Sequence, residues 1–302
     1  MRSNDSASTG LLAGIAAFLI WGLAPLYFNQ LQDIPAAEIL AHRSIWSLIL
    51  ALGILLLVGK LPDFAATLRD GKKMRMLALT TVLIGGNWLV FIWAINNGHL
   101  LDGSLGYYIN PLFNVVLGVL FLGEKLRRLQ WLAVVLASTG IAYELWQFGR
   151  VPIIALFVAS SFALYGLARK QAPVESLTGL AVETLFMLPV ALLYLFWSQS
   201  PTSNLLNNSL EFNGLLLLAG PISLVPLLLF TIAARRLNLS TLGFLQYIGP
   251  TLMLVVATQV FGETFSEEKL TTFIFVWLGL ALYSADALAQ RRKLHLQGKA
   301  AL

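Results

Sequence analysis

The sequence predicts an all-α integral membrane protein whose ten transmembrane helices form two inverted five-helix repeats. Three observations lead to this fold class. The 302-residue chain is 58% hydrophobic and 12% charged, with a mean hydropathy of +0.77, whereas soluble domains carry about 25% charged residues. Apolar stretches long enough to cross a bilayer recur along the chain, and one block containing tyrosine and proline occurs twice.

The apolar stretches set the number of spans. A helix needs about 20 apolar residues to cross the hydrocarbon of a bilayer, and a helix satisfies its own backbone hydrogen bonds there. The first stretch is too long for the core of a signal peptide, so we interpret it as a retained span. The sixth is short, and its assignment rests partly on the repeat. The ten stretches lie near 10–28, 36–58, 75–96, 104–122, 129–147, 152–168, 176–197, 212–233, 240–261 and 270–289.

An internal duplication organises these spans. The block Tyr108-Ile109-Asn110-Pro111 returns as Tyr247-Ile248-Gly249-Pro250, and each copy is followed after the same interval by a Gly-Glu pair, at 123–124 and 262–263. All of these equivalent positions are 139 residues apart, which indicates a repeat. Because this offset covers five spans, an odd number, the second copy is expected to insert in the opposite direction. The predicted repeats are 10–147 and 152–289, with a polar tail at 1–9 and a frayed basic tail at 290–302.

The basic residues predict the orientation. If the N-terminus is cytoplasmic, seventeen of the twenty Lys and Arg residues lie on the cytoplasmic side, Arg150 and Lys269 lie opposite, and Arg43 lies within a span. This asymmetry is typical of a protein with both termini in the cytoplasm. It also accounts for the net charge of +5, so no nucleic-acid partner is predicted. The chain has no cysteine, scattered histidines and no nucleotide-binding motif, so we predict no metal, cofactor or catalytic residue.

Arg43 and Glu183 are the strongest candidate site residues. They occupy equivalent places in the two copies, and an ionisable side chain inside a span is costly enough to suggest a function. One interpretation is a pair that lines a central cavity and contacts a charged or zwitterionic substrate or releases a proton, with Glu183 as the candidate for proton coupling. The alternative is a structural ion pair. Glu38 and His42 share a helix face near Arg43. This pair suggests either proton exchange, because imidazole titrates near neutral pH, or a hydrogen bond at the start of the helix.

The duplicated block supplies a second set of candidates. Proline removes a backbone donor, so helix breaks are predicted at Pro111 and Pro250, and freed polar groups there could line a substrate site. Packing is the alternative. Glu124 and Glu263 end the same two spans and are interpreted as gates or anchors. Glu124 is expected to have a basic partner, with Arg127 and Arg128 as the candidates. The candidate cavity residues of this set are Tyr108, Asn110, Asn114, Gln246 and Tyr247.

Four further residues lie within spans rather than at their ends. Trp21, Trp88 and Tyr165 would form an amphipathic wall if they faced a cavity, and would be packing residues if they faced lipid or other helices. Asn87 needs a polar partner, so it serves either the cavity or the contact between two helices.

The chain resembles the EamA family of the drug/metabolite transporter superfamily. The resemblance extends from about residue 10 to residue 292 and is carried by the blocks 18–25, 38–43, 83–89, 104–111, 152–155 and 241–250. It implies a carrier of the bacterial inner membrane, with a central cavity lined mostly by spans 1, 3, 4, 6, 8 and 9.

We therefore expect a multi-pass secondary transporter that moves a small organic metabolite or drug-like compound by alternating access. Its expected partners are this substrate and the lipid bilayer, with a homodimer as a further possibility. The alternatives are a membrane-embedded enzyme and a sensory or scaffold membrane protein. The sequence offers little for either, because its acidic residues are dispersed and no loop is long enough for an attached domain.

Overall fold

The computed structural model describes residues 2–97, 100–198, 200–262 and 267–300, and the side chains of 6–94, 97, 105–198, 200–262 and 270–290. All regular structure in these ranges is helical. The helices are α1 (Arg2–Phe28), α2 (Ala36–Leu57), α3 (Leu61–Arg69), α4 (Gly71–Asn96), α5 (Leu100–Leu122), α6 (Arg128–Phe148), α7 (Ile153–Gln171), α8 (Ser176–Trp197), α9 (Leu210–Arg236), α10 (Leu239–Gln246), α11 (Ile248–Gln259) and α12 (Glu267–Ala300).

Every predicted span coincides with helical structure. Nine segments within the described ranges are long and apolar enough to cross a membrane, and α10 and α11 together form one of them. The predicted span 129–147 also forms a helix, α6, which at 21 residues is about 30 Å long. Polar residues such as Gln130 and Glu144 make it less apolar than the others. The ends of the chain differ from the expectation, because α1 begins at Arg2 and α12 continues to Ala300.

The packing of the helices follows the inverted repeat. Helices α1 and α7 occupy equivalent positions in the two repeats, as do α4 and α9, and α1 packs on α9 just as α7 packs on α4. Helices α5 and α11 are also equivalent, and α5 packs on α7 just as α11 packs on α1. Helices α2 and α8 are equivalent and pack on each other, as do α6 and α12. This reciprocity is what a two-fold relation between oppositely inserted repeats requires. The predicted fold class is confirmed.

The duplicated blocks meet where α5 crosses α10. The Tyr247 hydroxyl donates to the Tyr108 carbonyl oxygen at 3.5 Å, so two positions related by the duplication contact each other. Gly243 lies against α5, and a Cβ there would be 2.6 Å from the Pro111 carbonyl oxygen. The crossing therefore requires glycine at this position.

The two predicted helix breaks have different outcomes. The helix is interrupted at Tyr247, between α10 and α11 and shortly before Pro250. At Pro111 the prediction is wrong, because α5 continues from Leu100 to Leu122. Membrane helices accommodate proline when neighbouring helices supply the lost interactions, and α5 is packed at this point against α10.

The glycines of the two Gly-Glu pairs follow the ends of α5 and α11. Gly123 and Gly262 have φ values of +64° and +66°, the left-handed conformation that glycine adopts most readily after a helix. The Glu124 carboxylate then accepts the N–H of Leu239 at 2.6 Å and the N–H of Ser240 at 3.0 Å. It thus caps the start of α10, where the helix dipole favours an anion.

The basic group whose charge interacts with Glu124 is Lys170 at the end of α7, and not Arg127. Arg127 pairs with Asp286 instead, and links the start of α6 to α12. Glu263, the counterpart of Glu124, lies outside the described residues.

We predict that Gly243→Ala lowers the stability of the protein. The added methyl group would overlap the Pro111 carbonyl oxygen, and overpacking of this kind costs about 1–3 kcal/mol. Gly214 in α9 is the matched control, because a Cβ there meets no atom within 4 Å and alanine favours the helix. Thermal unfolding in detergent should show a lower midpoint for Gly243→Ala and an unchanged or higher one for Gly214→Ala. Equal midpoints would contradict the close contact between α5 and α10.

Candidate functional site

The predicted site residues fall into separate clusters. We define the Arg43 cluster as Arg43 with Phe28, Trp88, Ser223 and the nearby Tyr27 and Tyr107. We define the Glu183 cluster as Glu183 with Thr80, Tyr165 and Arg169. The remaining candidates lie at contacts between helices.

In the Arg43 cluster, a cation from α2 is held among aromatic rings. Arg43 Nε donates to Ser223 Oγ at 2.7 Å, and the Ser223 hydroxyl donates to the Ala219 carbonyl oxygen at 2.7 Å. The Arg43 guanidinium carbon lies 4.6 Å from the ring centroid of Trp88 and 5.7 Å from that of Phe28. Both distances are within the range of cation–π attraction, so α9, α4 and α1 together fix the orientation of this side chain.

The Arg43 cluster is partly open. Arg43, Trp88 and Phe28 are half-buried, and Tyr107 is 40% exposed. Tyr107 and Tyr27 lie close enough to Arg43 to interact with its charge. No acidic side chain in the described ranges forms an ion pair with Arg43, so the site carries a net positive charge.

The Glu183 cluster is closed by contrast. The Glu183 carboxylate accepts hydrogen bonds from Thr80 Oγ1 at 2.5 Å and from the Tyr165 hydroxyl at 3.1 Å. Arg169 Nε lies 3.6 Å from Glu183 Oε1, and the two side chains are 0% and 2% exposed. All three neighbours present donors, which is the arrangement that an ionised carboxylate requires.

Arg169 was not among the predicted site residues. It lies at the end of α7, where its Nη2 donates to the Ser176 carbonyl oxygen at 3.0 Å. The guanidinium rests directly on Gly179, where any side chain would overlap it. A signal was present in the sequence, because a buried carboxylate needs a counter-charge and Arg169 begins the short basic link between the repeats.

Arg43 and Glu183 therefore have separate partners. The interpretation of the two as one pair is not supported, because Arg43 contacts Ser223 and aromatic rings while Glu183 pairs with Arg169. The equivalence of their positions explains the difference. Inverted copies place equivalent residues on opposite sides of the bilayer midplane, so they lie at different depths.

The polar residues of the duplicated block join helices. Asn114 Nδ2 donates to Gln246 Oε1 at 2.5 Å and to Asn110 Oδ1 at 3.1 Å. Asn110 Nδ2 donates to the Ala159 carbonyl oxygen at 3.0 Å. These three side chains and Tyr247 are buried, so in this conformation the hydrogen bonds join α5 to α10 and α7, while Asn114 Oδ1 has no hydrogen-bond partner among the described residues. Tyr108 is half-buried, with its ring against Phe273 at 5.4 Å between centroids.

Asn87 and the remaining aromatic candidates also lie between helices. Asn87 Nδ2 donates to the Val158 carbonyl oxygen at 2.7 Å and to Ser161 Oγ at 3.0 Å, and so joins α4 to α7. Trp21 is half-buried, with its ring 5.9 Å from that of Phe162, which lies 6.0 Å from the Tyr165 ring. Tyr165 thus connects an aromatic layer to Glu183.

Glu38 and His42 do not form the expected hydrogen bond. Glu38 Oε1 accepts from Thr202 Oγ1 at 2.6 Å, which ties α2 to the loop before α9. Both ring nitrogens of the buried His42 lack a hydrogen-bond partner among the described residues.

The fold and these clusters define a polytopic membrane protein with an inverted repeat. The family model of the EamA-like transporter family matches the chain twice, over residues 8–144 and 150–285. The chain therefore belongs to this family, and it is a multi-pass membrane protein.

Within the family, the chain is similar to RarD proteins over nearly its full length. It is 52% identical to Protein RarD of Salmonella typhimurium over 285 residues, 94% of this chain and 97% of that protein. It is 50% identical to an uncharacterized transporter of Vibrio cholerae, over 94% of this chain and 95% of that protein. A solved crystal structure with 17% identity matches with a TM-score of 0.68, over 90% of this chain and 96% of that chain. This last likeness supports the fold alone.

We predict that the Glu183 cluster contributes strongly to stability. Glu183→Ala would leave Arg169 buried without its partner, which typically costs about 3–5 kcal/mol. Glu175→Ala is the matched control, since its pair with Lys60 is exposed and such pairs contribute about 1 kcal/mol or less. The unfolding midpoint in detergent should fall far more for Glu183→Ala than for Glu175→Ala. Combining Glu183→Gln with Arg169→Gln should recover part of the loss, and equal midpoints for the two single variants would contradict the buried pair.

Proposed function

We propose that the protein is a secondary transporter that moves a small organic compound across the bacterial inner membrane by alternating access. The observation that carries this proposal is the half-open Arg43 cluster within two inverted repeats. A partly accessible arginine, bonded to Ser223 and flanked by Trp88 and Phe28, is costly inside a membrane unless it meets water or a polar ligand.

The contrast between the two clusters supports alternating access. The Arg43 cluster is half-buried, whereas the Glu183 and Arg169 side chains are almost fully buried. The clusters occupy equivalent places in oppositely inserted repeats. An exchange of conformation between the repeats would close the Arg43 side and open the Glu183 side, which is the motion that inverted-repeat carriers use.

The orientation rests on the distribution of basic residues. Placing both termini in the cytoplasm puts seventeen of twenty Lys and Arg residues on the cytoplasmic side. Glu183 then lies on the cytoplasmic side of the midplane and Arg43 on the outer side. The accessible cluster would face outward in the conformation described.

An experiment on whole cells tests the transport function without assuming a substrate. Metabolites inside cells and in the medium are compared by mass spectrometry for cells with the wild-type protein, with Arg43→Gln, or without the protein. Arg75→Gln is the matched control, because Arg75 is exposed at the start of α4. Relative to cells without the protein, we expect the wild type and Arg75→Gln to change the distribution of a group of small compounds between cells and medium. The change with Arg43→Gln should be at least tenfold smaller.

Proteoliposomes then separate transport from catalysis. A compound identified in cells should enter the vesicles with its mass unchanged. Recovery of a chemically altered product would instead indicate an enzyme. No flux above that of empty vesicles would contradict the proposed function.

Proton coupling is assigned to Glu183. A proton on this carboxylate would remove the charge that holds Arg169, and would thereby loosen the closed side. Exchange by the wild type should depend on pH, whereas Glu183→Gln should exchange at a rate independent of pH. Glu175→Gln should behave as the wild type. A pH dependence that persists in folded Glu183→Gln would rule out this role.

A further inference from the structure

We propose that the Arg43 cluster recognises an organic monoanion, whose carboxylate or similar group binds the free edge of the Arg43 guanidinium and whose flat apolar body lies along the aromatic rings. This inference rests on the proposed function, because it takes the Arg43 cluster as the substrate site. It specifies a chemical class of substrate that the family membership leaves open.

The hydrogen bonds of Arg43 leave one edge of the guanidinium available. Nε is used by Ser223 Oγ at 2.7 Å, and within the described residues neither Nη1 nor Nη2 has a hydrogen-bond partner. An arginine side chain has five N–H donors in a planar fork. The four that belong to the two Nη atoms suit a carboxylate, which accepts two parallel hydrogen bonds.

The charges around Arg43 favour an anion over a zwitterion. No described carboxylate forms an ion pair with Arg43, and the nearby titratable groups, Tyr27 and Tyr107, are phenols that are uncharged at neutral pH. An anionic ligand would neutralise the arginine, which lowers the cost of a charge inside the membrane. An ammonium group on the ligand would find no described acidic partner at Arg43.

The aromatic residues favour a flat apolar body. The Trp88 ring already lies against the guanidinium at 4.6 Å. Tyr107 is 40% exposed, and its ring packs edge-on against Phe91 at 5.5 Å between centroids. Exposed aromatic faces beside a cation bind the apolar part of a ligand while the cation binds its charged end.

Equilibrium binding to the purified full-length protein in nanodiscs tests the inference. The probes are phenylacetate, its neutral counterpart phenylacetamide, and the zwitterion phenylalanine, each measured by isothermal titration and by the shift of the unfolding midpoint. We expect phenylacetate to bind about tenfold or more tightly than either other probe, because a charge-assisted pair of hydrogen bonds is lost in the amide and an unpaired ammonium is added in phenylalanine. Equal affinity for phenylacetate and phenylacetamide would overturn the proposal, and so would equal affinity for phenylalanine.

Variants locate the binding. Arg43→Gln should abolish the preference for phenylacetate, while Arg75→Gln should retain it. Arg43→Lys keeps the charge without the planar fork, so it should still prefer phenylacetate but bind it with reduced affinity. This variant replaces Arg43→Gln as the test if Arg43→Gln does not fold. A preference for phenylacetate that survives folded Arg43→Gln, or that is absent from folded Arg43→Lys, would overturn the assignment.

The outcome is distinguishable from that of the proposed function. Flux of a neutral or cationic compound that depends on Arg43 would support transport and overturn the inference of an anionic substrate. Binding of phenylacetate at Arg43 by a protein that moves no compound into vesicles would support the inference about the site and contradict transport.

Discussion

The crossing of α5 with α10 is the contact on which the rest of the structure depends. Gly243 lies close to the Pro111 carbonyl oxygen, and Asn114 donates to Gln246 at 2.5 Å. In a membrane the hydrophobic effect does not hold helices together, so close backbone approach and hydrogen bonds between helices must do so. Because α5 and α10 belong to different repeats, these contacts fix the relative position of the two halves and thereby the depth of both charged clusters.

The charge of the Glu183 cluster is neutralised by an ion pair, whereas the charge of the Arg43 cluster is not neutralised by any described residue. Glu183 is surrounded by donors and paired with Arg169, with both side chains almost fully buried. Arg43 contacts Ser223 and aromatic rings and remains partly accessible. A buried ion pair stabilises one arrangement of helices, whereas a cation without a counter-charge favours binding of a ligand that supplies the missing charge. This difference is the physical reason for proposing the Glu183 cluster as a closing contact and the Arg43 cluster as a binding site.

The fold was predictable from local patterns. Apolar length determines where spans lie, and the repeated Tyr, Pro and Gly-Glu positions determine how the halves relate. Arg43 and Glu183 could be selected because ionisable groups in spans are rare. The partners of Arg43 and Glu183 could not be predicted from the sequence, since Ser223 and Arg169 approach them only through the packing of α9 and α7. The continuity of α5 through Pro111 likewise depends on its neighbours, whereas the interruption before Pro250 agrees with the local rule.

The contact of Tyr247 with Tyr108 has an evolutionary consequence. The two tyrosines are the same position of the repeated unit, and the Tyr247 hydroxyl donates to the Tyr108 carbonyl oxygen. A half-length ancestor able to insert in either direction could have made this contact with a second molecule of itself. Fusion of two such genes would preserve the pairing while freeing each copy to diverge, which is how Arg43 on one side and Glu183 on the other could arise from a single ancestral site.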